Sequence, residues 1–372
     1  MVGNPFILVE FPEEDPLGYY NDPLGNYFNL KGFENNFIPN DTSVPLVDQI
    51  KHRVEGKKDV LLMLSTNPQG ALARLFEEKS IYNNFREMVD TGGIKIIIYS
   101  NIDTMADLCW STSPDLTSWI NELRPFVLAD GIPGKSFKEK YYKCQFIEIG
   151  NPHFNYRMAH PELGILKKHE PRNDFLCLMS QKRTAPQRDL LHEQMKAKGL
   201  IGKNIYKFGP RSKNTFDDLQ YSFDIEKIQT HWPDGVPVIH YYNQTNLEVV
   251  AETFGDENTN DSFFITEKTV KPITMRHPFM VLSSFNFLKN LRNLGFRTFE
   301  DHLDESYDTE QDVNKRIEII TNNLTKLKGA STEFYTNTRE IRDHNHLNLQ
   351  HQIGTYQNRL WRAMDEFLKN LL

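Results

Sequence analysis

Apolar residues in this chain fall into short runs separated by longer stretches of helical periodicity. Val60-Leu61-Leu62-Met63-Leu64 and Ile94-Lys95-Ile96-Ile97-Ile98-Tyr99 are apolar runs of strand length, the second rich in β-branched residues. Residues 71–90 and 116–128 read as helices, and Gln145–Ile149 reads as a further strand, with Phe6–Val9 a candidate first strand. The alternation resumes at Phe175–Met179, followed by a helix over about 185–198, a strand at Ile205–Phe208, and strands at Leu247–Phe254 and Pro278–Leu282. Phe287–Asn293 predicts a short helix that Gly295 stops. Residues 312–328 and 333–372 predict longer helices, the last broken near Gly354. Continuous apolar strands between helices indicate parallel sheets covered on both faces. The pattern therefore predicts an α/β fold of two Rossmann-like domains facing each other, at 1–165 and 170–345, with C-terminal helices. Residues 346–372 form a helix that could cross back to the first domain.

Two helix starts are chemically marked. Thr184, Pro186 and Gln187 predict an N-cap, a first-turn proline and a capping box for the helix that carries Arg188. Ala251-Glu252-Thr253-Phe254 is followed by an acidic polar loop and then Phe263-Phe264-Ile265-Thr266-Glu267-Lys268-Thr269-Val270-Lys271-Pro272-Ile273. A carboxylate in a first helical turn suits the helix dipole and can accept hydrogen bonds from the paired hydroxyls of a ribose. Lysines beside it suit phosphate, although an ordinary solvated helix start is also compatible with this pattern. Pro272 predicts a kink or a later helix start.

Composition narrows the class. The chain has 372 residues, 39% hydrophobic and 12% aromatic, which is enough for sizeable cores and excludes a mainly disordered chain. Mean hydropathy is −0.56 and no apolar run approaches the length that spans a bilayer. Three separated cysteines and an N-terminus without a signal-peptide pattern lead to the expectation of a reducing, cytoplasmic setting. Net charge is −7, yet residues 131–213 hold 17 Lys and Arg against 7 acids. That basic belt fits a phosphorylated ligand or a solvated basic face. Gly-x-Gly-x-x-Gly, Walker and Gly-x-Ser-x-Gly motifs are missing, which disfavours a nicotinamide dehydrogenase or a P-loop kinase. His344, His346 and His351 lack His-x-x-x-His spacing and read as helix surface, and Phe285, Phe287, Phe296 and Phe299 read as core.

The Thr266-Glu267-Lys268 segment, with Ala251–Phe254 before it, resembles the donor-binding signature of GT-B glycosyltransferases of the α-1,3-fucosyltransferase type. Phe175–Ser180, Gln187–Leu191 and Tyr206–Gly209 resemble that fold's strand, arginine-headed helix and next strand. Residues 266–273, 278–279 and 294–299 also resemble uncharacterised glycosyltransferase-like proteins of phages and marine bacteria. The resemblance covers about 170–310. It implies a nucleoside-diphosphate sugar donor, with a GDP-sugar as first expectation, and neither a metal nor a separate cofactor. Glu267 would hold the ribose, and Lys268 and Arg188 the diphosphate. Arg183 and Lys271 would be further anion contacts, and Glu252 part of the donor site. The acceptor would be a saccharide or a hydroxymethylated base in phage-type DNA. A non-catalytic nucleotide- or sugar-phosphate-binding protein is the alternative. The resembling family takes its general base from the N-terminal domain. Here Glu10, Glu13, Glu14, Asp15 and Asp22 follow the first strand, and none is assigned.

Overall fold

The computed structural model describes residues 6–10, 35–38, 44–55, 57, 60–65, 76, 86–87, 89–91, 93–99, 108, 114–149, 169–181, 185–202, 204–210, 238–255 and 261–371. The fold is mixed α/β and the chain divides into two compact units. One comprises Met1–Pro152 with Thr355–Leu372, the other His153–Gly354.

The first unit contains β1 (Phe6–Glu10), β2 (Asn35–Ile38), α1 (Leu46–Val54), β3 (Val60–Ser65), β4 (Ile94–Tyr99), α2 (Pro114–Leu123), β5 (Phe126–Ala129), α3 (Lys135–Lys140) and β6 (Gln145–Glu148). Its six strands are all parallel, in the order β2-β1-β3-β4-β5-β6. Strands β3 and β4 are buried along nearly their whole length, as continuous apolar runs require when both faces are covered. Strand β5 corrects the reading of 116–128 as one helix. Arg124 adopts φ 50° and Pro125 follows it, so α2 ends at Leu123 and the last apolar residues of that run pair with β4 and β6.

The second unit contains β7 (Asn173–Gln181), α4 (Pro186–Ala197), β8 (Ile205–Pro210), α5 (Val238–Gln244), β9 (Thr245–Ala251), α6 (Glu267–Thr274), β10 (Phe279–Leu282), α7 (Phe287–Asn293), α8 (Val313–Leu327), α9 (Ser331–Asn337) and the part of α10 (Arg339–Leu371) up to Gly354, the rest of that helix being counted with the first unit. Its four strands are parallel in the order β10-β9-β7-β8. The chain leaves β7 toward β8 on one side and continues through β9 to β10 on the other. The order therefore reverses between β7 and β9, the place where open α/β sheets bind ligands outside their carboxyl ends.

Three local expectations change. Ala185 rather than Thr184 occupies the N-cap of α4, without a side-chain hydrogen bond, and Gln187 lies buried in the first turn. Pro272 stands inside α6, but only two residues from its end, so the missing N–H removes one late bond and the helix neither kinks into two nor starts later. The long terminal helix runs unbroken through Gly354, and the interruption falls instead at Thr338. Tyr356, Leu360, Met364, Phe367 and Leu368, on the last turns of α10, pack with Leu61, Met63, Ile97, Tyr99 and Leu128. That burial outweighs the roughly 1 kcal/mol that an interior glycine costs. Among the aromatics read as core, Phe287, Phe296 and Phe299 are buried while Phe285 is only half-buried. Among the described residues no helix is long and apolar enough to cross a membrane.

At the amino ends of β7 and β9 lies a polar cluster. The His169 ring stacks on Tyr335 at 3.9 Å and Arg342 covers Tyr335 at 3.7 Å. His277 is buried, packed edge-on against Tyr242, and burial holds its pKa well below 6.5. Burial also lowers the pKa of His169 and His346. A histidine whose folded pKa is depressed binds fewer protons than in the unfolded chain below about pH 6.5, so stability is lost as pH falls through that range. Replacing His277 by glutamine is therefore expected to flatten the acid limb of the stability curve, by up to about 1.4 kcal/mol per pH unit. Urea unfolding of wild type and variant between pH 7.5 and 5 measures the difference. Comparison with the variant is needed because Glu248, whose pKa burial raises to about 7, contributes the opposite slope between its unfolded value and pH 7.

Candidate functional site

The carboxyl end of β9 is where the sequence-marked residues converge. All seven residues of β9 are buried, and the strand runs directly into Glu252-Thr253-Phe254-Gly255. The chain returns at Thr266, whose extended backbone (φ −117°, ψ −179°) and hydroxyl cap α6, accepting from the Lys268 N–H at 3.2 Å.

Glu252 is fully buried beneath this helix start. Its Oε1 accepts from the N–H of Thr266 (3.1 Å), the N–H of Thr269 (3.3 Å) and the hydroxyl of Thr269 (2.6 Å). Its Oε2 accepts from the N–H of Thr253 (3.0 Å) and the hydroxyl of Thr266 (2.7 Å). Five donors saturate the carboxylate, and an anion at a helix N-terminus is favoured by the dipole. Glu252, expected in the donor site, has both of its carboxylate oxygens engaged at this helix start. It supports the site from below, anchoring the first turn of α6 to the end of β9.

Above it, Glu267 and Lys268 are each about one-third exposed, with Lys268 Nζ 3.0 Å from Glu267 Oε1. The same ammonium donates to Thr253 Oγ1 at 3.3 Å and Thr266 Oγ1 at 3.2 Å. Three oxygens thus fix a cation that still reaches solvent. Arg188, third residue of α4, is buried, and its Nη2 donates to the carbonyls of Ala251 (3.1 Å) and Glu252 (3.2 Å). Burial lowers its pKa, and Glu252 and Glu267 oppose that shift. Arg188 consequently spans the gap between the carboxyl ends of β7 and β9, within electrostatic reach of Glu267.

Lys271 stands one helical turn farther along α6, in electrostatic reach of Glu248 in the middle of β9. Glu248 accepts a 2.6 Å hydrogen bond from the buried Tyr242 hydroxyl. Sequence reasoning passed over both. The available signal was an acid inside the apolar run Leu247-Glu248-Val249-Val250. It also passed over Asp130, fully buried at the carboxyl end of β5, which the strand–Asp–Gly pattern of residues 126–131 could have marked. Arg183, Lys182, Thr184, Lys203 and Lys213 lie outside the described residues, as do Glu13, Glu14, Asp15, Asp22, Asp217, Asp218 and the side chain of Glu10. His344 bonds the Gly295 carbonyl and His346 the Thr274 carbonyl. Among the described residues no group of three His, Cys, Asp or Glu could hold a metal ion.

No protein-family model matches the chain, and no curated protein sequence does. Among solved structures it is similar to T4 phage BGT in complex with its UDP-glucose substrate, at 13% identity and a TM-score of 0.42, over 97% of this chain and 100% of that one. It is also similar to a glycosyltransferase from Rickettsia africae ESF-5, at 12% identity and a TM-score of 0.44, over 99% of each chain.

Proposed function

We propose that this chain is a glycosyltransferase of the GT-B type that moves a sugar from a nucleoside-diphosphate donor to an acceptor hydroxyl. One observation carries the reading. The side chains that the sequence resemblance assigns to donor binding, Arg188, Glu267 and Lys268, come from helix starts 79 positions apart and meet at the topological switch point of one parallel sheet. In the reaction, Glu267 accepts hydrogen bonds from the ribose hydroxyls. Lys268 and Arg188 face the diphosphate and stabilise the charge that accumulates on it as the glycosidic bond breaks. Basic side chains in that role make a divalent metal unnecessary. Transfer proceeds with inversion, with a general base deprotonating the acceptor hydroxyl. The domain that binds the donor is 170–345, the acceptor-side domain is 1–165, and a GDP-sugar is the first donor to try.

The test is a thermal-shift panel of GDP, UDP, ADP, CDP and dTDP on wild type and Glu267→Ala. A ligand at 100 times its dissociation constant stabilises by about 2.7 kcal/mol, which raises the melting temperature by several degrees. The expected result is a shift with one diphosphate that Glu267→Ala abolishes, followed by consumption of the matching nucleotide sugar. Binding without consumption points to a non-catalytic nucleotide-binding protein. No shift with any nucleotide removes the reading. The acceptor, a saccharide or a hydroxymethylated base in DNA, is distinguished by salt, because contacts to several phosphates make affinity fall steeply with ionic strength.

A further inference from the structure

A groove of about 660 Å³ lies between α2 and α3 in the first unit, a volume in the range of small-ligand sites. Thr117, Ser118 and Glu122 line it from α2, and Glu139, Lys140 and Lys143 from the end of α3 and the turn beyond. Tyr142 also lines it and is 67% exposed.

The turn that carries Tyr142 is held from two sides. Asn121, 5% exposed on α2, donates to the Lys140 carbonyl at 2.9 Å and accepts from the Lys143 N–H at 3.1 Å, so one side chain ties both flanks of residues 141–142. Tyr141 is fully buried, donates to the Leu108 carbonyl at 2.7 Å and packs on Phe137 with ring centroids 5.2 Å apart. The next residue, Tyr142, is left facing outward, with the Lys143 ammonium 5.5 Å from its ring. A lone exposed apolar side chain needs no explanation. A ring on an anchored turn at a groove differs, because it offers a flat apolar face at little further cost in ordering.

Charge decides which ligand suits it. Glu122 and Glu139 balance Lys140 and Lys143, so the lining is neutral although it opens the basic belt of the sequence. Arg86 and Lys135 meet the two carboxylates from outside the lining at 3.5 and 3.6 Å, exposed pairs that a ligand displaces at little cost. A polyanion would have to face both carboxylates. A neutral polyhydroxyl ligand finds donors in the lysines, acceptors in the carboxylates and both in Thr117 and Ser118. A saccharide also carries C–H groups on the faces of its ring, which match the face of Tyr142. We propose that this groove is a saccharide-binding site of the first unit, with Tyr142 as the platform on which a sugar ring stacks. The inference does not rest on the nucleotide-sugar reading of the second unit.

The test screens the full chain against a glycan array. The best-bound glycan, free in solution and without any nucleotide, is then titrated into wild type, Tyr142→Ala and Tyr142→Phe by calorimetry. Expected are binding to wild type and a loss of affinity of about tenfold or more in Tyr142→Ala. Tyr142→Phe, which keeps the ring, should stay within about threefold of wild type. Both variants should melt within about 2 °C of wild type, as exposed substitutions do. Binding of no glycan overturns the proposal, and so does a glycan bound equally well by Tyr142→Ala. An equal loss in Tyr142→Phe overturns the stacking platform, since the hydroxyl would then be responsible. A larger fall in melting temperature makes Tyr142 a packing residue and overturns it too. Binding of a DNA oligonucleotide instead of any glycan, with affinity falling steeply with salt, assigns the groove to nucleic acid and overturns the saccharide site. Because no donor is present, failure of the nucleotide-sugar reading leaves this result untouched.

Discussion

Replacing Glu252 by alanine is expected to lower the stability of the second unit by about 3–5 kcal/mol, enough to unfold much of it near physiological temperature. Five donors converge on this carboxylate, three of them backbone N–H groups of Thr253, Thr266 and Thr269. The two hydroxyls can rotate toward other acceptors, but the three N–H groups are fixed by the turn and the helix. Each one left buried and unbonded costs on the order of 1–3 kcal/mol. Water entering the space left by the side chain recovers part of that, which is why the expected cost stays below the sum. Glutamine in the same place keeps one acceptor oxygen but turns an amide NH2 toward donors, so Glu252→Gln should cost less, about 2 kcal/mol. Urea unfolding followed by circular dichroism measures both. If Glu252→Ala unfolds within 1 kcal/mol of wild type, the carboxylate does not anchor α6 and its placement beneath the site is wrong.

How much of this was legible in the sequence follows from which forces act locally. Strands β3, β4 and β7 announce themselves because parallel strands covered on both faces need long apolar runs. Strand β5 does not, since four residues after Arg124-Pro125 continue a helix-like apolar pattern and only their pairing with β4 and β6 makes them a strand. Helix α5 was missed for a related reason: Val238-Ile239-His240-Tyr241-Tyr242 is rich in β-branched and aromatic residues, and the burial of Tyr241 and Tyr242 overrides that propensity. In the site, Glu267 and Lys268 could be found because a helix start with a carboxylate and a lysine is a local pattern. The position of Arg188 against Ala251 and Glu252 could not, because it depends on bonds to residues 63 and 64 positions away. The same distance effect hides the partners of Glu252, because both of its oxygens accept from residues that include Thr266 and Thr269, 14 and 17 positions away.

Replacing Lys268 by alanine is expected to lower kcat/KM for the nucleotide sugar by about 10²–10³, the range seen when one fixed stabilising donor is removed from a site. The ammonium is held at 3.0–3.3 Å by Glu267, Thr253 and Thr266 and keeps about a third of its surface exposed. A charge already fixed in place needs no reorganisation as the leaving diphosphate gains charge, so its contribution grows toward the transition state. The loss should appear mainly in kcat, with the dissociation constant of the nucleoside diphosphate rising more modestly. Folding should change little, because an exposed ion pair contributes at most about 1 kcal/mol and Thr266 still caps α6 through its bond to the residue 268 N–H. Lys268→Arg should restore part of the rate, since the guanidinium supplies the charge in a different geometry. Steady-state kinetics with the donor found by the nucleotide panel, beside direct nucleotide titration, separates the two effects. A variant that binds weakly but turns over at the wild-type rate when saturated would assign Lys268 to ground-state binding alone.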